Sequence, residues 1–160
     1  MTTSTFNWID CTEEYDELID SWLDTEAVKY TGIDEGWKDY RDYYINEVSM
    51  QVGGKAYVKI AFDGVTPFGV IAICCSEEQH WVSEYIISPF MRRKGYGTKA
   101  LRDILLCGKE IIGEDVVTAM AVIFPNNVAS QKCFEKAGFA YESAHPDGDA
   151  WYYLYSKEQE

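Results

Sequence analysis

The sequence predicts an α/β fold: a mixed, mostly antiparallel seven-stranded sheet covered by helices. Three observations predict it. Three strand-like runs between residues 55 and 88 are joined by short polar links, as in an antiparallel meander. A strand, a helix over residues 97–110 and another strand then form a crossover, which makes those two strands parallel. One more helix and a final pair of strands complete the order β-α-α-β-β-β-α-β-α-β-β.

The first third of the chain predicts one short strand and two helices. Residues 5–10 alternate as a strand does, and Thr12 is placed to cap the first helix. The apolar face of that helix follows helical spacing through Tyr15, Leu18, Ile19, Trp22 and Leu23. Residues 31–34 are predicted as a loop, and Asp34 as the cap of a second helix with an aromatic stripe. Such a stripe belongs to a core or lines a cleft, and both interpretations stay open.

The rest of the chain alternates strands and helices between clear turn signals. Residues 116–124 form a β-branched apolar run that is typical of a central strand buried on both faces. Asn127 is placed to cap a helix over Val128–Ala137, which Gly138 ends. The other predicted strands are residues 55–62, 68–75, 81–88, 139–145 and 151–156.

Composition predicts a single globular domain over residues 1–160, located in the cytoplasm. The net charge of −13 argues against nucleic-acid binding, and no apolar run reaches the ~20 residues of a membrane helix. The N-terminus lacks the basic and apolar regions of a signal peptide. We expect reduced, mostly buried thiols and no metal, because no metal-ligand spacing connects the five cysteines. These are Cys11, Cys74, Cys75, Cys107 and Cys133.

Charge is unevenly distributed along the chain. Residues 1–50 contain 13 acidic and 3 basic side chains, whereas residues 91–102 contain five basic side chains and no acidic one. This pattern indicates an anionic ligand at the basic segment and, more weakly, a cationic ligand elsewhere. The alternative interpretation of the acidic third is a solvated surface.

The basic segment predicts a phosphate-binding loop. It follows a strand that Pro89 ends and precedes a helix that begins near Tyr96 or Gly97. Gly95 and Gly97 allow a tight turn and close approach of a ligand to the backbone. Unpaired N–H groups at a helix start, with cations nearby, form an anion site.

Two stretches resemble the GNAT superfamily of acyl-CoA-dependent N-acyltransferases. Arg92–Gly97 is similar to the family's pyrophosphate loop, Gln/Arg-x-x-Gly-x-Gly/Ala. Asn127–Ser130 and Phe134–Phe139 are similar to its later signature, Asn-x-Ala-Ser followed by Glu-Lys-x-Gly-Phe. The element order extends the resemblance over nearly the whole chain. It implies an N-acetyltransferase that uses acetyl-CoA (coenzyme A) and a primary amine; the alternative is a non-catalytic acyl-CoA-binding module.

The resemblance also implies the cofactor site. The fourth and fifth strands should splay apart, and the pantetheine arm should lie in the gap against the backbone of the fourth strand. The implied cofactor residues are Ile86, Ile87, Ser88, Arg92, Arg93, Lys94, Gly95, Tyr96, Gly97, Thr98, Asn127 and Ser130.

The sequence departs from the family at two catalytic positions. Phe134 stands where many members have a tyrosine as general acid, and Val122 stands where one branch has a glutamate. We therefore predict Glu84 as the base and Ser130 as the acid, with Tyr141 or Tyr153 as alternative acids. An exposed strand face or a salt bridge would also explain Glu84. His80 and His145 are interpreted as structural or exposed.

The resemblance also implies that the acceptor pocket is built largely by the first two helices, their loop and the last hairpin. In this chain those parts are acidic and aromatic, which suits a cationic amine: an aminoglycoside, a polyamine or a basic peptide N-terminus. The predicted substrate residues are Asp34, Glu35, Trp37, Tyr40 and Tyr153, with Tyr43, Trp151 and Tyr152 nearby. We expect a small-molecule or peptide partner, no nucleic acid, no membrane, and a monomer or homodimer.

Overall fold

A computed structural model describes residues 3–157 and contains a sheet with helices on both faces. Its strands are β1 (Asn7–Asp10), β2 (Ala56–Asp63), β3 (Thr66–Ser76), β4 (Gln79–Ile87), β5 (Thr118–Ile123), β6 (Ala140–Ala144) and β7 (Trp151–Ser156). Among the described residues they form one seven-stranded sheet in the order β1-β2-β3-β4-β5-β7-β6. Within residues 3–157, only the β4–β5 pair is parallel. The predicted fold class is confirmed.

The helices are α1 (Asp16–Trp22), α2 (Thr25–Thr31), α3 (Trp37–Tyr43), α4 (Ser49–Gln51), α5 (Tyr96–Leu106), α6 (Gly108–Ile111) and α7 (Val128–Ala137). A 3₁₀ turn (Glu13–Tyr15) precedes α1, and a π-helical turn (Tyr44–Val48) joins α3 to α4. Within residues 3–157, no helix has the length and apolarity that crossing a bilayer requires.

The first third contains one helix more than the sequence predicts. The Asp24 carboxylate caps the additional helix, α2, by accepting a hydrogen bond from the Ala27 N–H at 2.9 Å. The predicted cap at Asp34 is wrong: α3 begins after Gly36, and Asp20 of α1 accepts the Trp37 N–H at 2.7 Å. A side chain distant in sequence thus satisfies a free N–H at the start of α3.

The two larger hydrophobic clusters among the described residues lie on opposite faces of the sheet. On the α1–α4 face, Ile19, Trp37 and Ile60 are fully buried. On the α5–α7 face, Leu101 and Ile104 are buried with the strand residues beneath them. Full burial of one such side chain contributes about 1.5–3 kcal/mol, so both helical layers are firmly attached to the sheet.

The predicted central strand and the helix before it differ in detail. The helix is interrupted at Cys107, which separates α5 from α6. The strand is not buried on both faces: Ala121 and Ile123 are buried on one face, while Val122 between them is 48% exposed. The Val122 side chain is exposed because it lines a cavity and does not pack in the core.

Strands β4 and β5 separate after a short stretch of pairing. They pair only where His80–Val82 meets Ala119–Ala121, although β4 continues to Ile87. At this point Ser83 is an extra residue in β4, because Val82 lies opposite Ile73 and the next paired residue, Glu84, lies opposite Ala72. A bulge disrupts a ladder and increases the local twist. The predicted splay between the fourth and fifth strands is confirmed.

Candidate active site

A cleft of about 400 Å³ opens where β4 and β5 separate. Its walls are the end of β4, the loop into α5, one side of α7 and one side of α2. Three cationic side chains besides Arg92 line it: Arg93, Lys132 and Lys136. An elongated anionic ligand therefore finds both surface and positive charge here.

The loop at the head of the cleft has the backbone that the sequence predicts. Gly95 immediately precedes α5 with a φ of 85°, in the left-handed region that favours glycine. Position 97 favours glycine for a different reason, which is lack of room for a side chain: a Cβ there would lie 3.1 Å from the Cys133 sulfur. The first N–H groups of α5 have no partner within the helix, so this backbone fits a pyrophosphate.

Arg92 performs a different task from its neighbour Arg93. Its guanidinium donates to the Ile87 carbonyl at 3.1 Å, to the Trp22 carbonyl at 3.3 Å and to the Asp24 carboxylate at 2.7 Å. This ion pair lowers the pKa of Asp24, chiefly through that hydrogen bond. Arg92 thus connects the start of α2 to the end of β4, and its charge is already compensated.

Most of the predicted cofactor residues line the cleft. These are Ile86, Ile87, Arg92, Arg93, Gly95, Gly97, Thr98, Asn127 and Ser130. Ser88, Lys94 and Tyr96 are not among its lining residues. Ser88 is buried and donates its N–H to Phe68, while the Tyr96 hydroxyl donates to Asp63 at 2.6 Å.

The open edge of β4 presents backbone groups to the cleft. Successive residues of a strand direct their N–H and C=O groups to alternate edges. The Ser88 N–H donates to the Phe68 carbonyl of β3, and the Ile86 carbonyl lies close to Gly69 of the same strand. The N–H groups of Ile87 and Tyr85 therefore point to the edge that β5 leaves free.

The predicted catalytic residues, Glu84 and Ser130, line one small cavity of about 80 Å³ at the point of separation. Tyr85 and Asn127 line both this cavity and the larger cleft, so the two spaces are adjacent. Glu84 lies opposite Ala72, which belongs to the α1–α4 core, whereas Ser130 comes from α7 on the other face. The two groups thus approach the gap from opposite sides of the sheet.

Glu84 is neither fully exposed nor salt-bridged. It is half-buried, and no hydrogen bond or ion pair to its side chain occurs among residues 3–157. Burial raises the pKa of its carboxyl to about 8. Burial also raises the pKa of Tyr40, and the charge of Glu84 is the next largest cause. Tyr40 is therefore close to the carboxyl.

Tyr85 is a site residue that the sequence interpretation missed. Its ring contacts Phe134 edge-on at 5.2 Å, and its hydroxyl interacts with the side chains of Ser130 and Cys133. Burial raises its pKa well above the usual value. The sequence did contain one signal. Because side chains alternate along a strand, a Glu84 on the α1–α4 side places its neighbour Tyr85 on the α5–α7 side.

Asn127 serves two roles at once. Its side-chain oxygen accepts the Ser130 N–H at 3.2 Å and so caps α7. An amide also carries an NH₂ donor, and the residue lines both cavities. The cap therefore leaves a donor for a ligand.

The predicted acceptor residues do not gather as one lining. Trp37 is fully buried and belongs to the core, so its assignment to the pocket is corrected. Tyr153 is 2% exposed in the α5–α7 core, away from the face of Glu84, and is corrected for the same reason. Asp34 and Glu35 are exposed, and neither lines the two cavities described above. Tyr40 is half-buried beside Glu84.

Comparisons with known proteins agree with this architecture. The family model described as acetyltransferase (GNAT) domain matches residues 9–140. An uncharacterized N-acetyltransferase of Bacillus subtilis (strain 168), YfmK, is 34% identical over 94 residues, which is 59% of this chain and 61% of that protein. The match thus spans about three fifths of that curated relative.

Solved acetyltransferase structures share the fold. AAC(6')-Ib in complex with ribostamycin and coenzyme A superimposes with a TM-score of 0.75 at 22% identity, covering 97% of this chain and 95% of that one. An aminoglycoside N(6')acetyltransferase from Legionella pneumophila gives 0.73 at 18% identity, covering 99% and 96%.

The splayed sheet and the glycine-containing loop before α5 give this chain the architecture of an acetyltransferase domain. The chain belongs to the GNAT acetyltransferase family. Membership confirms the family that the sequence predicts.

Proposed function

We propose that the chain transfers an acetyl group from acetyl-CoA to the primary amine of a cationic acceptor by direct attack. The observation that carries this proposal is the pair Glu84 and Ser130, which reach one cavity at the strand separation from opposite faces of the sheet. The acceptor class comprises small cationic amines, aminoglycosides and peptide amines. The aminoglycoside complexes of the structural neighbours support this class, as does the acidic first third of the chain.

The residues of the cleft suit the parts of acetyl-CoA. Arg93, Lys132 and Lys136 would hold its phosphates together with the first N–H groups of α5. The free edge of β4 would bind the pantetheine amides through backbone hydrogen bonds. Acetyl-CoA, when bound, supplies the acetyl group as an activated thioester.

Each step of the transfer has a candidate group in this chain. Ionised Glu84 accepts the proton of the acceptor ammonium, and a carboxyl pKa of about 8 suits that task near neutral pH. The Ile87 N–H donates to the carbonyl oxygen as negative charge develops there. The amide bond forms as the carbon–sulfur bond breaks. Ser130, adjacent to Tyr85, donates its proton to the leaving sulfur and accepts the second proton of the attacking nitrogen, so that its hydroxyl is restored.

The test is thiol release from acetyl-CoA with a panel of amines that includes a polyamine, an aminoglycoside and a basic peptide. We expect release with at least one cationic amine and little with a neutral one. Asp34 and Glu35 lie outside both cavities, so they would act on a cationic amine through longer-range attraction. Changing Asp34→Asn and Glu35→Gln together should raise KM for cationic amines; an unchanged KM across several amines would refute that attraction.

A second function is favoured by Phe134 and Val122, which stand where relatives carry catalytic groups. A non-catalytic acyl-CoA-binding module would gain thermal stability on adding coenzyme A and release no thiol with any amine. That pair of results would replace the first proposal.

A further inference from the structure

A second cluster of reactive side chains lies at the other end of β4. Cys75 is near the end of β3, His80 is near the start of β4, and Glu114 precedes β5. One ligand atom from each lies within 4.8 Å of the others. The four residues from His80 to Glu84 correspond to about 13 Å of strand, so this cluster is separate from the acetyl-transfer site.

Two residues of the cluster are buried, and hydrogen bonds connect its side chains. Cys75 and His80 lie opposite each other on neighbouring strands and are 6% and 4% exposed. The His80 Nε2 and a Glu114 carboxylate oxygen are 2.6 Å apart, and the Tyr57 hydroxyl donates to the other oxygen at 3.1 Å. The His80 Nδ1 is buried with no hydrogen-bond partner within residues 3–157.

A thiol, an imidazole and a carboxylate are the ligands that zinc prefers in proteins. Zinc bonds of about 2.0–2.3 Å in tetrahedral geometry place ligand atoms roughly 3.3–3.8 Å apart. The histidine and carboxylate would separate by about 1 Å from their present contact, which small side-chain rotations achieve. Three protein ligands leave the fourth position to water.

We propose that Cys75, His80 and Glu114 bind one zinc ion. Tyr57 would orient the ligating carboxylate, as hydrogen-bonding partners of metal ligands do. The ion would connect the end of β3 and the start of β4 to the segment before β5, below the point where β4 and β5 separate. No metal-binding motif in the sequence predicts this site, because its ligands come from three separate segments.

Zinc stoichiometry of the purified full chain, freed of metal by a chelator, tests the proposal. We expect one zinc per chain in competition with a chromophoric chelator. Cobalt(II) added instead should give a thiolate-to-metal charge-transfer absorption. Cys75→Ser should abolish that absorption, whereas Cys74→Ser should retain it, because the neighbouring Cys74 is buried on the opposite face of β3.

Two further variants keep the result decisive if Cys75→Ser does not fold. Glu114→Gln removes a ligand and should weaken zinc binding by about 100-fold, while Tyr57→Phe should weaken it by about 10-fold. Asp115→Asn, an exposed neighbour, should have no effect. Circular dichroism verifies folding. Absence of stoichiometric zinc binding by the wild-type chain overturns the proposal, as does equal binding by the folded Glu114→Gln variant.

Discussion

Replacing Glu84 by glutamine removes a charge at the proposed base while keeping the shape of the side chain. Burial raises the Glu84 pKa from 4.5 to about 8, and one pKa unit corresponds to about 1.4 kcal/mol. Between pH 4.5 and 8 the folded chain holds a proton that the unfolded chain has released. Stability therefore falls as pH rises through this window.

The magnitude follows from the width of that window. At pH 7, ionisation of Glu84 in the unfolded chain lowers the free energy of unfolding by about 3 kcal/mol, and at pH 9 by about 5 kcal/mol. Glu84→Gln does not ionise, so the variant should exceed the wild type by up to these amounts. Below pH 4.5 the two proteins should be equally stable.

Urea denaturation at pH 4.5, 7 and 9 measures this difference, with the exposed Glu142→Gln as the matched control. In the same variant, kcat/KM should fall by about 10²–10⁴-fold and lose its rise near pH 8. A stability difference that does not change with pH would refute the burial of the carboxyl. An unchanged kcat/KM profile would refute its role as the base.

Four other substitutions have distinct expected outcomes. Arg93→Ala should weaken coenzyme A binding in calorimetric titration and leave the urea midpoint unchanged. Arg92→Ala should also lower the free energy of unfolding by about 2 kcal/mol, because it loses hydrogen bonds to charged and carbonyl groups. Equal urea midpoints for the two variants would contradict the role of Arg92 in connecting α2 to β4. Tyr85→Phe keeps the ring contact but removes the hydroxyl that interacts with Ser130, the proposed proton donor, so kcat should fall by about 100-fold with the KM for acetyl-CoA unchanged. Full activity would show that Ser130 does not depend on this hydroxyl. Gly108→Ala places a Cβ 2.6 Å from the Glu114 carbonyl oxygen and should destabilise the chain by about 1–3 kcal/mol in thermal denaturation; a wild-type melting temperature would show that the backbone yields.

The cofactor loop was predictable because its determinants are local. Gly95 and Gly97 are two residues apart, and each acts on its own backbone or immediate neighbours. Asn127 and Gly138 mark the ends of α7 in the same way, and the observed helix has the predicted bounds. Features of this kind depend on a few consecutive residues and can be predicted without knowledge of the tertiary structure.

The missed features depend on contacts between distant segments. Helix α2 has seven residues and only Ala27 buried, so it lacks the apolar periodicity that reveals a helix. Trp37 carries the same signal whether it lies in a core or in a cleft, and only packing decides. Tyr85 became a candidate site residue only when α7 placed Ser130 beside it.

The extra residue in β4 makes this sheet a binding site. Because Ser83 is accommodated as a bulge, side chains on both sides of it stay in phase with β3. A chain without Ser83 would keep Val82 and Glu84 on their present faces. It would also lose the interruption that stops β4 from joining β5 along its whole length. Deleting Ser83 should therefore let β4 and β5 pair along their whole length and give a well-formed sheet with no room for a ligand.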